Sequence, residues 1–396
     1  MSSAGRTRRV LIIVENLPVP FDRRVWQEAQ ALRDAGYQVS VICPTGQGHE
    51  ERREEIDGIA IYRHPLPVEG KGVMGYLVEY PAALFWQFLL AWRVFRERGF
   101  DVIHACNPPD DIFLVGLFFK LFGKRFLFDH HDINPELYEV KFGRRDLLYK
   151  VLLFMERMTF RTADVVISTN ESYKEIALSR GGMDPGRVFV VRSSPDLGRL
   201  RPGPPNDALR KGRRFLVGYV GVMGAQDGID ILLRIIHDIV YRLERKDIQF
   251  LLIGGGTELE GMKRYAAELN LTGFVTFTGF LRGQELIDAL GSIDVGVCPD
   301  PKDPYNDKCT MNKVMEYMAL GKPLVQFDLT EGRYSARDAA LYARDERDFS
   351  EKLLQLLDDP GLREKMGRYG RRRMENELDW RFEVPKLLDA YRRVFE

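Results

Sequence analysis

At 396 residues the chain is too long for one ordinary domain and comfortable for two of similar size. It is 45% apolar and 29% charged, which is globular composition, and 58 basic against 58 acidic residues give a formal net charge of zero, so a nucleic-acid partner finds no general electrostatic support. Four scattered cysteines (Cys43, Cys106, Cys298, Cys309) have neither metal spacing nor a disulfide framework and fit reduced thiols.

The N-terminus is a short basic lead followed by "VLIIV", which is strand length rather than a signal-peptide core. Continuous apolar runs then alternate with helix-period segments. The first half predicts strands at 9–15, 38–44, 59–65, 101–105, 125–131, 164–169 and 188–194, with helices at 22–35, 76–98, 110–122, 144–162 and 171–180. The longest uncharged apolar run, 80–92, is about 13 residues, short of the ~20 that span a bilayer. A cytoplasmic protein is expected. The stretch 74–99, with aromatics and Arg93, Arg96 and Arg98 at one end, fits equally a helix lying in a bilayer surface and a covered helix of the first domain.

Prolines, glycines and charges at 196–214 read as an interdomain linker. The rhythm restarts with strands at 215–221, 248–256, 275–280, 295–299, 323–328 and 340–343. Helices are expected near 228–244, 257–269, 283–291, 312–320, 348–357, 361–376 and 380–395. Strands that are apolar throughout belong in parallel sheets covered on both faces, so the fold class is α/β, with two doubly wound domains. In such sheets ligands bind beyond the carboxyl ends of the strands.

That rule selects the loops. "GYVGVMGAQDGID" leads from a strand end into a helix through Gly218, Gly221, Gly224 and Gly228; such a turn suits phosphate approach or tight helix–strand packing. "LLIGGGTELE", "FTGFL" and the loop 300–311 end three more strands, the last entering a helix on which Glu316 follows Lys313 by one turn. In the first half, Asp22-Arg23-Arg24 opens a helix after a strand end, where paired arginines serve phosphate binding or surface solubility. "HACNPPDD" (104–111) suits an acceptor contact or a proline-formed helix start. "FDHHDINPE" (128–136) invites a metal reading, but neighbours on an extended chain point to opposite sides, so few of its groups converge on one ion.

With "RVLIIVENLP…EAQALRDAGYQVSVICP", "LLIGGGTELEGMKRYAAELNLTGFVTFTGFLRGQELIDALGSIDVGVCP", "VMEYMALGKPLV" and the tail "LDWRFEVPKLLDAYRRVF", the chain resembles the retaining family 4 glycosyltransferases of the GT-B fold over essentially its whole length. The resemblance implies two Rossmann-like domains facing across a cleft. Residues 1–195 would form the acceptor side and 215–378 the nucleotide-sugar side, with a final helix in 379–396 packing back on the first domain. It makes Glu316 the second acid of an E-x7-E motif that grips the ribose hydroxyls. Gly221, Gly224, Gly255, Gly279, Phe280, Lys308, Asn312 and Lys313 join it around the donor. It places His131 beside the donor sugar and puts Asp22, Arg23, Arg24 and Asn107 on the acceptor side.

The chain departs from the family where Lys308 replaces the first acid of the motif, and where Val222 and Asp227 stand in place of a basic pair that neutralises the donor diphosphate. The expectation is a clamp of Arg23 or Arg24 with Lys313; Lys308 and backbone amides near Gly224 are the other sources of charge. The implied reaction is retaining transfer from a UDP-sugar or GDP-sugar to a glycan or lipid-linked hydroxyl in cell-envelope polysaccharide or glycolipid synthesis, with no metal, no cofactor and a peripheral inner-membrane contact. A nucleotide-sugar 2-epimerase and a non-catalytic sugar-nucleotide-binding subunit are the rivals.

Overall fold

The computed structural model describes residues 7–65, 73–201 and 203–396; the start of the basic lead and the side chains of 74–80 lie outside the described residues. The chain divides into two compact units. One comprises Met1–Arg192 with Glu383–Glu396, and the other Ser193–Phe382.

In the first unit the elements run β1 (Arg9–Ile13), α1 (Arg23–Asp34), β2 (Gln38–Pro44), β3 (Arg53–Ile56), β4 (Ile59–His64), α2 (Val73–Glu97), β5 (Val102–Cys106), α3 (Phe113–Lys120), β6 (Arg125–His130), α4 (Asn134–Phe142), α5 (Leu147–Thr162), β7 (Val165–Ser168), α6 (Glu171–Ser179) and β8 (Val188–Val190). The sheet order is β3-β4-β2-β1-β5-β6-β7-β8. Strands β1, β2 and β4–β7 are almost wholly buried, as apolar runs in a covered parallel sheet require. The order reverses between β1 and β5, so the ligand-binding crevice of this unit lies at the ends of those two strands.

Three elements go beyond the expected pattern, two of them in this unit and the third a helix at Thr330–Ala336. Strand β3 is antiparallel to β4 and joined to it through Asp57 and Gly58, both at positive φ, as a two-residue hairpin turn demands. Its charged sequence suits an edge. Helix α4 lies where no element is expected; Pro135 stands in its first turn and Gly143 ends it at φ 65.

The second unit runs β9 (Phe215–Val220), α7 (Ile229–His237), β10 (Ile248–Ile253), α8 (Leu259–Glu268), β11 (Val275–Gly279), α9 (Gly283–Ser292), β12 (Val295–Cys298), α10 (Asn312–Ala319), β13 (Leu324–Phe327), α11 (Thr330–Ala336), β14 (Ala340–Ala343), α12 (Glu346–Asp358) and α13 (Pro360–Arg373). Its six strands are all parallel in the order β11-β10-β9-β12-β13-β14, reversing between β9 and β12.

The segment read as a linker is built into this unit. Leu197, Leu200 and Leu209 pack on its core, Gly203 N donates to Asp288 and Asn206 N to Ser292, and Arg210 pairs with Asp294. The last helix, α14 (Val384–Phe395), belongs to the first unit. It packs on β6, β7 and β8, Tyr391 meets Tyr37 edge-on at 5.5 Å, and Arg192 N donates to Glu383 Oε2 at 2.9 Å.

Candidate functional site

In the first unit the ends of β5 and β6 carry a buried polar network. Arg24, in the first turn of α1, is only 8% exposed. Its Nη2 reaches Asp129 Oδ1 at 2.7 Å and lies 3.1 Å from Glu28, while Nη1 donates to the Val191 carbonyl at 2.9 Å. His131 Nε2 stands 2.5 Å from Asp129 Oδ2 and 2.9 Å from Arg24 Nε. A guanidinium only donates, and so short a nitrogen–carboxylate contact requires a proton between the two atoms. The proton therefore sits on Nε2, Arg24 Nε–H goes to Asp129 at 3.1 Å, and Nδ1 is left as the ring's other nitrogen. On the far side His104 Nε2 lies 3.3 Å from the same carboxylate oxygen, and His104 Nδ1 is 2.8 Å from the Tyr391 hydroxyl on α14.

The charges sort themselves. Burial pushes Asp129 up, but Arg24, His131 and the histidine hydrogen bonds outweigh it and hold the carboxyl well below its usual range. Burial pushes Glu28 well up, against the lowering effect of Arg24. Burial likewise lowers His104, which stays neutral. Two triads here, His104–Cys106–Asp129 and Glu28–Asp129–His131, are close enough to hold a metal ion, and the Arg24 guanidinium lies against the Glu28 and Asp129 carboxylates.

These contacts revise two expectations. Arg24 is engaged inside its own unit, holding Asp129 and through it His131, and is not a free phosphate clamp. Asn107, expected to meet an acceptor, is 1% exposed: its Nδ2 donates to Asp110 and to the Asp132 carbonyl, and its Oδ1 accepts from the amides of His131 and Asp132. It staples the loop after β5 to the loop after β6. Asp22 caps α1 by accepting from Val25 N at 3.0 Å, and Arg23 is exposed beside it.

In the second unit the loops after β9 and β10 are laced together by backbone. Gly221 N donates to Ile253 O, Met223 N to Gly255 O, and Glu258 N to Met223 O. A Cβ on Gly254 would run into the Gly221 carbonyl oxygen, and one on Gly256 would stand 2.5 Å from Met223 O. These glycines serve backbone packing, and the Gly221 and Met223 amides are spent on it. The Gly224 amide donates to Asp227 Oδ2 at 2.8 Å, so it too is satisfied within the loop.

Where β9 and β12 diverge, Tyr317 fills the gap. Its hydroxyl accepts from Val220 N at 3.1 Å and lies 3.2 Å from the carbonyls of Gly218 and Val297. Gly296 makes room: a Cβ there would meet the Tyr317 ring at 2.5 Å. Beside it Lys313 reaches Asp300 Oδ1 and Oδ2 at 2.9 and 2.8 Å and lies 4.8 Å above the Tyr219 ring. Burial would lower the Lys313 ammonium, but Asp300 and the neighbouring groups hold it well above its ordinary value. Lys313 is thus a buried ion-pair member, with one ammonium hydrogen beyond the two directed at Asp300. Cys298 Sγ, 2.9 Å from the same carboxylate, completes the cluster.

Glu316 is half-buried on α10 and Asn312 is exposed at the start of that helix; Lys308 is half-buried in the preceding loop. Asn306 donates to the Gln226 carbonyl at 2.9 Å and so ties that loop to the one after β9. Gly255 lies under the Phe280 ring, which is 56% exposed next to Gly279 at φ 73. The switch point therefore brings Lys313 of α10 beside Gly221. Sequence reasoning missed Asp300, Tyr317, Glu28, His104 and Tyr391. Only Glu28, four residues after Arg24 on the same helix, left a readable signal.

Comparisons with known proteins accord with this geometry. Residues 22–199 match the family model described as Glycosyltransferase Family 4, and residues 214–359 match Glycosyl transferases group 1, together most of the chain. A sulfoquinovosyl transferase of Arabidopsis thaliana is 23% identical over 97% of this chain and 73% of its own length. Among solved structures, a sucrose-phosphate synthase from Thermosynechococcus elongatus superposes with a TM-score of 0.77 at 18% identity, over 98% of this chain and 99% of that one. The Anabaena protein HepE in complex with UDP-glucose gives 0.72 at 13%, over 97% and 99%. Two reversed parallel sheets, a returning C-terminal helix and both family matches lead to one conclusion: the chain belongs to the family 4, group 1 glycosyltransferases of the GT-B fold, and is a glycosyltransferase.

Proposed function

We propose that the protein transfers a sugar, with retention at the anomeric carbon, from a nucleotide diphosphate sugar to the hydroxyl of a glycan or lipid-linked acceptor. The observation that carries the reading is the pair of built strand-end sites: a switch point in the second unit with Lys313 and Glu316 on one short helix, and His131 held by Asp129 in the first. A UDP-sugar donor is favoured by the HepE complex with UDP-glucose, a GDP-sugar being the alternative.

In this reading Glu316 accepts from the ribose hydroxyls, and the remaining Lys313 hydrogen goes to a phosphoryl oxygen, with Asp300 fixing the ammonium in place. Lys308 adds charge from the preceding loop. His131, its Nε2–H given to Asp129, offers Nδ1 to the donor sugar. The bond from the anomeric carbon to the diphosphate oxygen breaks, the acceptor oxygen bonds on the same face, and its proton passes to the departing diphosphate. Catalysis is then positioning plus stabilisation of the leaving charge, with no protein nucleophile and with the cationic work assigned to side chains rather than a metal.

The test is incubation of purified protein with radiolabelled UDP- and GDP-sugars and a lipid-diphosphate acceptor. Transfer supports the reading, formation of an epimer favours a 2-epimerase, and binding without turnover favours a non-catalytic subunit. Glu316→Ala is expected to weaken nucleotide binding by ~1–3 kcal/mol.

A further inference from the structure

Fourteen large hydrophobic side chains are exposed among the described residues, and nine of them lie on or beside three helices of the first unit. On α2 they are Phe85 (61%), Leu89 (48%) and Trp92 (37%), at i, i+4 and i+7. Around α3 they are Leu114, Leu117, Leu121 (82%) and Phe122, and on α5 Leu147 (77%) and Phe154 (59%). The three helices are neighbours, α3 packing against both α2 and α5. Trp92 lies 6.0 Å from Phe118 and 5.9 Å from Phe122, so the apolar surface runs across the α2–α3 seam. The outer face of a helical layer is normally polar, and a concentration of this kind on a soluble surface marks an interaction site.

The charge around this face is equally one-sided. Helix α5 presents Lys150, Arg157 and Arg161 to solvent, and Arg144 and Arg145 precede it. Arg93 and Arg96 flank the α2 stripe, and Lys124 and Arg125 follow α3. Three of these arginines are offset by acids, Arg93 by Glu97, Arg145 by Glu139 and Arg144 by Asp146, which leaves Arg96, Lys124, Arg125, Lys150, Arg157 and Arg161 as the excess. This excess is local, because the chain as a whole carries no net charge. Two copies meeting through this face would set cationic rim against cationic rim, which opposes self-association. Apolar and aromatic side chains rimmed by lysine and arginine fit instead the boundary of an anionic bilayer, where the apolar groups enter the acyl region and the cations meet headgroup phosphates.

We infer that the outer face of α2, α3 and α5 is a docking surface for an anionic lipid bilayer. No described helix is long and apolar enough to cross a membrane, so contact of this kind is peripheral. The inference stands on this face alone and does not depend on the reaction proposed above.

The experiment is co-sedimentation of the full chain with phosphatidylglycerol-containing and pure phosphatidylcholine vesicles, at low and high salt. The protein should bind the anionic vesicles in preference and lose much of that binding at high salt. The double variant Leu121→Glu/Phe154→Glu, at exposed positions, should bind about tenfold more weakly or worse with an unchanged melting temperature. The charge variant Lys150→Glu/Arg157→Glu should lose the preference for anionic vesicles. Equal binding to both vesicle types, or none to either, overturns the inference. So does a concentration-dependent dimer abolished by Leu121→Glu/Phe154→Glu, which would assign the face to a second copy.

Discussion

Arg24 shows how much a single side chain's surroundings decide. As one of two adjacent arginines at a helix start it is a natural phosphate ligand, yet its guanidinium is buried against Asp129 and Glu28. Removing one partner of such a pair leaves the other buried without compensation, at a cost of about 3–5 kcal/mol. Arg24→Ala should therefore lower the unfolding free energy by that order in chemical denaturation. A variant with wild-type stability but reduced turnover would restore the clamp. Tyr391 is a positioning residue on the proposed reading, through His104 and Asp129 to His131. Tyr391→Phe should cost about 1 kcal/mol of stability, the net value of one hydrogen bond, and lower kcat with little change in the KM for donor. An unchanged kcat would show that the chain of contacts ends at Asp129.

At the level of elements, the two loops after β9 and β10 approach so closely that glycine is required by geometry. Gly254 combines φ 130 with the Gly221 carbonyl in the place a Cβ would occupy. Gly254→Ala should destabilise the protein by roughly 2 kcal/mol or more, through both strain and displaced backbone; a melting temperature within a degree of wild type would contradict this packing. The same loops show what was legible in the sequence. The apolar runs of β1, β2, β5, β9 and β10 announced covered parallel strands, because a strand buried on both faces leaves an unbroken pattern. The hairpin of β3 is signalled only by Asp57-Gly58, since its charged residues lack that pattern. The segment 196–214 reads as a linker because its anchors, Leu197, Leu200 and Leu209, are spaced among prolines and charges; only tertiary contacts reveal that they are half-buried on the core of the second unit. Within the site, residue types were legible and partners were not. Nothing local in the sequence says that Lys313 turns to Asp300 or that His104 meets Tyr391 from the far end of the chain.

For the whole molecule, the buried carboxyls of the first unit set a pH dependence. Burial, with Asp110 and Glu15 nearby, pushes Asp111 up to about 7. A carboxyl with a raised folded-state pKa binds its proton more tightly in the folded chain. The stability it contributes is full below the unfolded value near 3.8 and is lost as pH rises through about 7. Stability should fall by on the order of 2–4 kcal/mol between about pH 4 and pH 8 from this group, and Asp111→Asn should remove that part of the slope. Parallel curves for variant and wild type would contradict it. The central claim, transfer with retention from a nucleotide sugar, is tested most directly by the anomeric configuration of the transferred sugar, read by proton NMR on the isolated product. From an α-linked donor the account predicts an α-linked product with wild-type protein, and a β-linked product would contradict it.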